Sequence, residues 1–402
     1  MPSLIADSRI FRVMVVLAVT QLIGWGTVSL PPVIGRQFAA DLHMDIAAVF
    51  AANSVFYLAM GLASPWLAKP FTRYGARRVM MAGTLIAAPG FLLLAAAQGP
   101  LIYFAGWLFL GVAGSATLTT AGLIVLNEVA GRNAKSAIGA LMLVTGLSSS
   151  VFWPTTVFLT DLLGWRGACL VYAAMMPLVC LPLFAFGLPR HKRAESATVR
   201  GVPSTGVPAG PSRSTFYLLV ATLGLYVFVT FGLGAVLIEL FKAEGLSAAE
   251  AVSFGSMLGV IQVAARGIDL LGGGRWDGIS TGLVAGLALP VAMLLLMTSG
   301  GTAWTVAIFM LLYGMGSGAL AVARATMPLI FYDKAEFTVA MSRMALPLNI
   351  LSAVSAPVLV ALLTRFGSNA LLGLTLLCSC AALAILLLLS RRRPGSVAIA
   401  AT

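Results

Sequence analysis

Arg266 and Asp269 stand three residues apart in QVAARGIDLL (262–271), inside a stretch that is otherwise nearly all apolar. A guanidinium at the centre of a membrane-length helix costs about 2.5–3.5 kcal/mol even on lenient insertion scales, so one found there is expected to have a task. Its planar fork of donors suits a carboxylate gripped through two hydrogen bonds. Gln262, one helical turn earlier, can add a hydrogen bond beside it, and Asp269 is near enough to pair with it. Gly255, Gly259, Gln262, Arg266 and Asp269 follow i, i+4, i+7, i+11, i+14 spacing and share one face of a helix.

Further polar side chains recur at helical spacing inside apolar runs. Gln21, Trp25 and Ser29 form one stripe, Thr222, Tyr226 and Thr230 another, and Asn53 with Tyr57 a shorter one. GLSSSVFWP places Ser148, Ser149, Ser150 and Trp153 just before Pro154, and Arg324 lies near the end of its own apolar run. Polar groups surrounded by lipid need a partner or water, so such faces mark a cavity. Each also has a structural reading. Small hydroxyls serve close helix packing, Arg324 can reach an interface along its stem, and Asp269 can be an ion-pair partner of Arg266 or Arg275 rather than a gate.

The elements that must position these groups follow from composition. Of 402 residues, 60% are hydrophobic and 9% charged, against about 25% charged in a soluble domain. That surplus of apolar side chains requires lipid as solvent, and the runs have the ~20-residue length of membrane-crossing α-helices. No period-2 alternation supports an outer-membrane barrel. The expected fold is all-α, with spans near 11–35, 46–68, 78–97, 101–127, 136–160 and 165–188, then 215–239, 248–271, 279–299, 302–330, 338–363 and 368–390. Residues 189–214 are polar, basic and rich in Pro, Gly and Ser, the composition of a flexible linker between 1–188 and 215–402. Met1–Ile10 is too poor in apolar residues for a cleavable signal, so the first span is expected to direct insertion.

A net charge of +12 could point to nucleic acid, but its distribution points elsewhere. Of the 25 Lys and Arg, Arg36, Arg166, Lys242 and Arg365 fall outside and Arg266, Arg324 and Arg343 within spans, while the rest lie on the side of both termini. That is the bias of cytoplasmic loops. It places both termini in the cytoplasm, argues for a cell inner membrane, and needs no nucleic acid; lipid and a small molecule are the expected partners of a monomer. Cys169, Cys180, Cys378 and Cys380 sit in apolar runs and read as inert buried thiols rather than a metal site. Catalysis lacks candidates, since the two histidines, His43 and His191, lie in loops. No Gly-rich Lys-Ser/Thr loop provides for ATP, and no cofactor is implied.

The two halves repeat. Pro154 and Pro357, Gly164 and Gly367, Gly111 and Gly314, and Ala116 and Ala319 all keep an offset of 203, and TRYGARR after span 2 faces GRWDG after span 8. This 6+6 pattern, with TRYGARR carrying Arg73, Gly75 and Arg77, resembles the major facilitator superfamily. The resemblance implies two six-helix bundles rocking about a midplane site. Thr72 stands where the family's loop has an acid, and Asp277 offers a partial charge latch in the second copy. GVIQVAARGIDLL and QLIGWGTVSLPPVIG are similar to the branch of monocarboxylate and oxalate–formate transporters, which implies Arg266 as ligand of a substrate carboxylate. Gln262 occupies the place of that branch's proton-carrying aspartate, and no matching lysine occurs in span 11.

On these residues the chain is expected to move a small organic anion, a monocarboxylate by the resemblance. Arg266, Gln262, Tyr226, Thr222, Gln21, Trp25, Asn53, Tyr57, Ser149, Trp153 and Arg324 are its candidate ligands, and Asp269, Arg73, Arg77 and Asp277 its coupling or gating groups. The alternative is a proton-driven multidrug or metabolite exporter. Against it, Trp107 stands where such exporters carry an arginine four residues before Gly111, and span 5 lacks their Gly-Pro-x-x-Gly-Gly stretch.

Overall fold

The computed structural model describes residues 8–190, 213–272 and 277–393. Most of the linker, His191, Arg275 and both chain ends lie outside the described residues. The helices are α1 (Ser8–Thr27), α2 (Leu30–Asp41), α3 (Ile46–Tyr74), α4 (Ala76–Ala95), α5 (Pro100–Thr117), α6 (Thr119–Ala130) and α7 (Ala134–Thr145). After them come α8 (Ser148–Met175) and, beyond a π-helical turn, α9 (Leu181–Gly187). The second set holds α10 (Arg213–Ala243), α11 (Ala248–Gly272), α12 (Gly278–Ser299), α13 (Ala303–Thr326), the short α14 (Pro328–Phe331) and α15 (Lys334–Ser390).

Among the described residues, ten helical segments are long and apolar enough to cross a membrane, and two of them, Ala134–Gly187 and Glu336–Ser390, run to 54 and 55 residues. Straight helices of that length would reach about 80 Å, far beyond a hydrocarbon layer of about 30 Å. Each is interrupted instead by one glycine, Gly164 (φ 71, ψ 166) and Gly367 (φ 81, ψ 177). Eight single crossings and two double ones make twelve, and the described ends lie on one face, here called the terminal face. The sequence reading separates spans 5 from 6 and 11 from 12 with short loops. In the structure a single left-handed residue makes each turn.

Lipid-facing surfaces explain the exposure pattern. Trp66, Leu101, Leu271 and Trp304 are 82–84% exposed, which in water would forfeit about 1.5–3 kcal/mol for each large apolar side chain left unburied. Cys169 and Cys180 are buried, as expected of inert thiols, but Cys380 is exposed on the outer side of its helix and Cys378 only half-buried. The apolar run there continues around a peripheral helix whose outer side meets lipid, so apolar neighbours in sequence did not mean burial in protein.

Spans 1 and 4 are each broken at mid-depth, between α1 and α2 and at Leu118 between α5 and α6. Two side chains of span 1 support the second break. Gln21 Nε2 donates to the Thr117 carbonyl at 2.7 Å, and Trp25 Nε1 donates to Thr119 Oγ1 at 3.1 Å. A helix interrupted inside a membrane frees backbone acceptors, and Gln21 satisfies one of them while Trp25 holds the residue that opens the next helix.

Packing between the two sets runs through α3 and α6 against α15, and α7 against α11 and α13. Both α6 and α7 are the terminal-face halves of their spans. The other halves, α2, α5 and the start of α8, pack chiefly within their own set. The sets meet at the terminal face through α6 and α7, and along α3 and α15, where Ser54 Oγ donates to the Ala353 carbonyl at 2.8 Å.

Candidate functional site

Helices α10, α11 and α13 converge on a cavity of about 240 Å³ whose polar groups are Tyr226 and Thr230, Gln262 and Arg266, and Ser317 and Arg324. An adjoining cavity of about 80 Å³ shares Leu223, Phe231 and Arg324 and adds Trp25, Tyr57 and Asn349 from the other helices. Neither is lined by an aspartate or glutamate. Among the described residues, two cations and no anion face this space.

Arg266 reaches it from the terminal-face half of α11. Its Nη1 donates to the Met142 carbonyl at 3.1 Å, across the seam between the two sets, while Nε is buried with no partner among the described residues. The guanidinium fits there because residue 146 is glycine: a Cβ on Gly146 would collide with Nη1. Gln262 Nε2 donates to Ser317 Oγ at 3.0 Å, tying α11 to α13 one turn before Arg266. The Arg324 guanidinium lies 5.6 Å from the centre of the Phe231 ring. Tyr57 meets the same ring edge-on from the other set, 5.7 Å between centroids at 89°.

The remaining sequence candidates divide sharply. Tyr226 lines the larger cavity, but its hydroxyl lies against Gly286, buried and without a partner among the described residues. Thr222 is wholly buried one residue behind the cavity wall. Gln21 is also wholly buried and already committed to Thr117, while Trp25 and Tyr57 do line the smaller cavity. Asn53, Ser149 and Trp153 line neither, and Trp153 is 45% exposed. For Trp153 the cause is the face of α8: the helix turns it outward, whereas Phe152 packs inward against Gly26.

Asp269 finds a partner on α12, and Arg275, the other cation expected to pair with it, lies outside the described residues. Asp269 accepts a hydrogen bond from Thr281 Oγ1 at 2.6 Å and borders a separate apolar crevice between α11, α12 and α13. The ion pairs found among the described residues join Arg166 to Asp41, Lys242 to Glu239 and Arg393 to Asp277, not Arg266 to Asp269. The two residues are offset by about 60° on the helix, and the Thr281 hydroxyl takes the Asp269 carboxylate to α12 while Arg266 turns to the cavity. Asp277 caps α12 by accepting from Ser280 N at 2.8 Å and pairs with Arg393 of the C-terminal tail. Thr72 donates to the Ala68 and Lys69 carbonyls, and Arg73 lies over Tyr74. Arg77 keeps a buried Nε without a partner among the described residues.

Sequence reasoning passed over several lining residues. Phe231 is apolar and sits beside the chosen Thr230, so selection by polarity missed the ring that joins both cavities. Asn349 and Ser352 carried a readable i, i+3 signal in span 11 and line the smaller cavity. The Met142 carbonyl and the room at Gly146 had no signal, since backbone and absent side chains show no pattern.

A twelve-crossing helical protein with a central cavity, sealed by packing on one face, is built as a secondary transporter. The signature of the Major Facilitator Superfamily matches residues 14–342, and the chain belongs to that family. Over 196 residues it is 31% identical to mouse (Mus musculus) monocarboxylate transporter 11, covering 47% of this chain and 40% of that one. The human (Homo sapiens) form is 31% identical over 198 residues and 38% of its length. The chain thus matches about two fifths of these relatives' length. A 2-nitroimidazole transporter of Escherichia coli strain K12 is 28% identical over 321 residues, 75% of each chain. The fold is similar to that of the human organic anion transporter MFSD10 (TM-score 0.76, 17% identity, 94% and 99% of the two chains). It is also similar to the transporter FucP (TM-score 0.72, 13% identity, 95% and 99%).

Proposed function

We propose that this transporter carries a small organic anion whose carboxylate is held by Arg266, a monocarboxylate being the simplest such cargo. One observation carries the reading: Arg266 and Arg324 line a cavity without an acidic residue. Positive potential in a low-dielectric space favours anions and rejects cations, which weighs against export of cationic drugs. The similarity to monocarboxylate transporters over part of the chain supports the same class. A volume of about 240 Å³ lies below the ~300–1,000 Å³ of drug-sized pockets, in keeping with a small cargo.

Alternating access follows from the seam. Arg266 donates an N–H to the Met142 carbonyl across the seam and so helps hold the terminal face shut. An arriving carboxylate is the stronger acceptor; taking that donor weakens the seam, and residues 1–188 then rock against 215–402. Gln262 sits beside the bound group, and Tyr226, Trp25 and Tyr57 shape the space. The bias of basic residues supports reading the terminal face as the cytoplasmic one, in a cell inner membrane.

The test is uptake of a panel of labelled carboxylates by vesicles containing the reconstituted protein, with and without a pH gradient. Hydrogen bonds to charged groups are worth about 1.5–3 kcal/mol each, so Arg266→Gln is expected to lose tenfold or more in apparent affinity. Parent-like uptake of every carboxylate by Arg266→Gln would remove the anion reading. Transport of lipophilic cations would favour the exporter alternative.

A further inference from the structure

We propose that Arg324 forms a second anion subsite, so that the preferred cargo carries two negative groups, as a short dicarboxylate does. The proposal rests on Arg266 as the ligand of the first carboxylate.

Both guanidinium-bearing side chains line the same cavity of about 240 Å³, and Arg324 alone of the two also borders the smaller one. No carboxylate lines either space, and the ion pairs among the described residues involve neither arginine. Arg324's recorded neighbour is an aromatic face, Phe231. A ring quadrupole attracts a cation but leaves its charge uncancelled. A monoanion on Arg266 would therefore leave one half-buried cation in place, whereas a dianion compensates both.

Arg324 is not simply reaching the terminal-face interface along its stem. Phe231 lies 18 residues along α10 from Arg213, about 27 Å at 1.5 Å per residue, so a guanidinium over that ring points toward mid-depth. Its chain neighbours Val322, Ala323, Ala325 and Thr326 are buried. Spacing between the two cations is held as well. They stand on different helices, and the Gln262–Ser317 hydrogen bond ties those helices together one turn before Arg266 and two turns before Arg324. Fixed separation and small volume together select for chain length, favouring a short diacid over a long one.

The experiment measures competition against labelled uptake by the full chain in vesicles, using dicarboxylates of two to five carbons and the half-amide of each. A half-amide keeps size and one carboxylate while removing the second charge. The parent is expected to bind at least one diacid tenfold or more tighter than its half-amide. Arg324→Gln should shrink that ratio to about twofold or less, while Arg324→Lys, which keeps the charge, should retain most of it and guards against a variant that merely fails to fold. Equal affinity for diacid and half-amide in the parent, or an unchanged ratio in Arg324→Gln, overturns the second subsite and leaves the anion reading intact. Binding of neither acid, or an Arg266→Gln variant that binds both like the parent, defeats the anion reading itself.

Discussion

At the residue scale the decisive contact is between Arg266 Nη1 and the Met142 carbonyl, with Gly146 leaving room for it. A methyl group at 146 must displace the guanidinium, and overpacking of this kind costs about 1–3 kcal/mol. Gly146→Ala is expected to raise the apparent KM for a transported carboxylate about tenfold or more. Gly139→Ala, on the same seam, places its Cβ 3.3 Å from the flexible tip of Leu270 and should change KM less than about twofold. Initial uptake rates in vesicles measure both. Residues of this scale were only partly legible. Arg266, Gln262 and Arg324 declared themselves as charged or amide groups in apolar runs. Asp269 did so by the same rule, yet it serves Thr281, because polarity in a span says that a partner exists and not which one.

At the element scale Gly164 and Gly367 make equivalent turns at equivalent places. Their φ and ψ fall where essentially only glycine goes, and a side chain there costs about 1–3 kcal/mol. Gly164→Ala and Gly367→Ala are each expected to lower the Tm of the detergent-solubilised protein, and the double variant to lower it by about the sum, since the sites share no contact. Gly373→Ala, inside a helix with open space around its Cβ position, should leave Tm unchanged or slightly raised. A smaller loss of Tm in Gly164→Ala than in Gly373→Ala would contradict the assignment of strain. Span positions were readable from apolar runs, and the glycine pair from its constant offset. The mid-depth breaks in spans 1 and 4 were not, because no apolar pattern changes there.

At the scale of the whole molecule the structure is shut on the terminal face. Gly139 and Leu270 meet on that seam, and Gly267 faces Leu143. Gly139→Cys with Leu270→Cys, in a background without the four native thiols, is expected to cross-link under mild oxidation and to abolish uptake, with reduction restoring it. Cross-linked protein that transports at the parent rate would mean that the seam need not open. The same two sites should become more reactive to a soluble thiol reagent when a transported carboxylate is added, as the proposed release of Arg266 from Met142 requires.

The sequence by itself determined that the solvent is lipid, that the chain crosses it in helices about twelve times, and that Arg266 in an apolar run needs a partner or water. These are consequences of transfer free energy and length, which a linear string carries in full. The tertiary structure decided which cations share a cavity, that no acid joins them, and which face is closed. Those depend on the rotation of each helix about its axis and on contacts between residues a hundred or more positions apart, where one turn sends Asp269 to Thr281 and Arg266 to the seam.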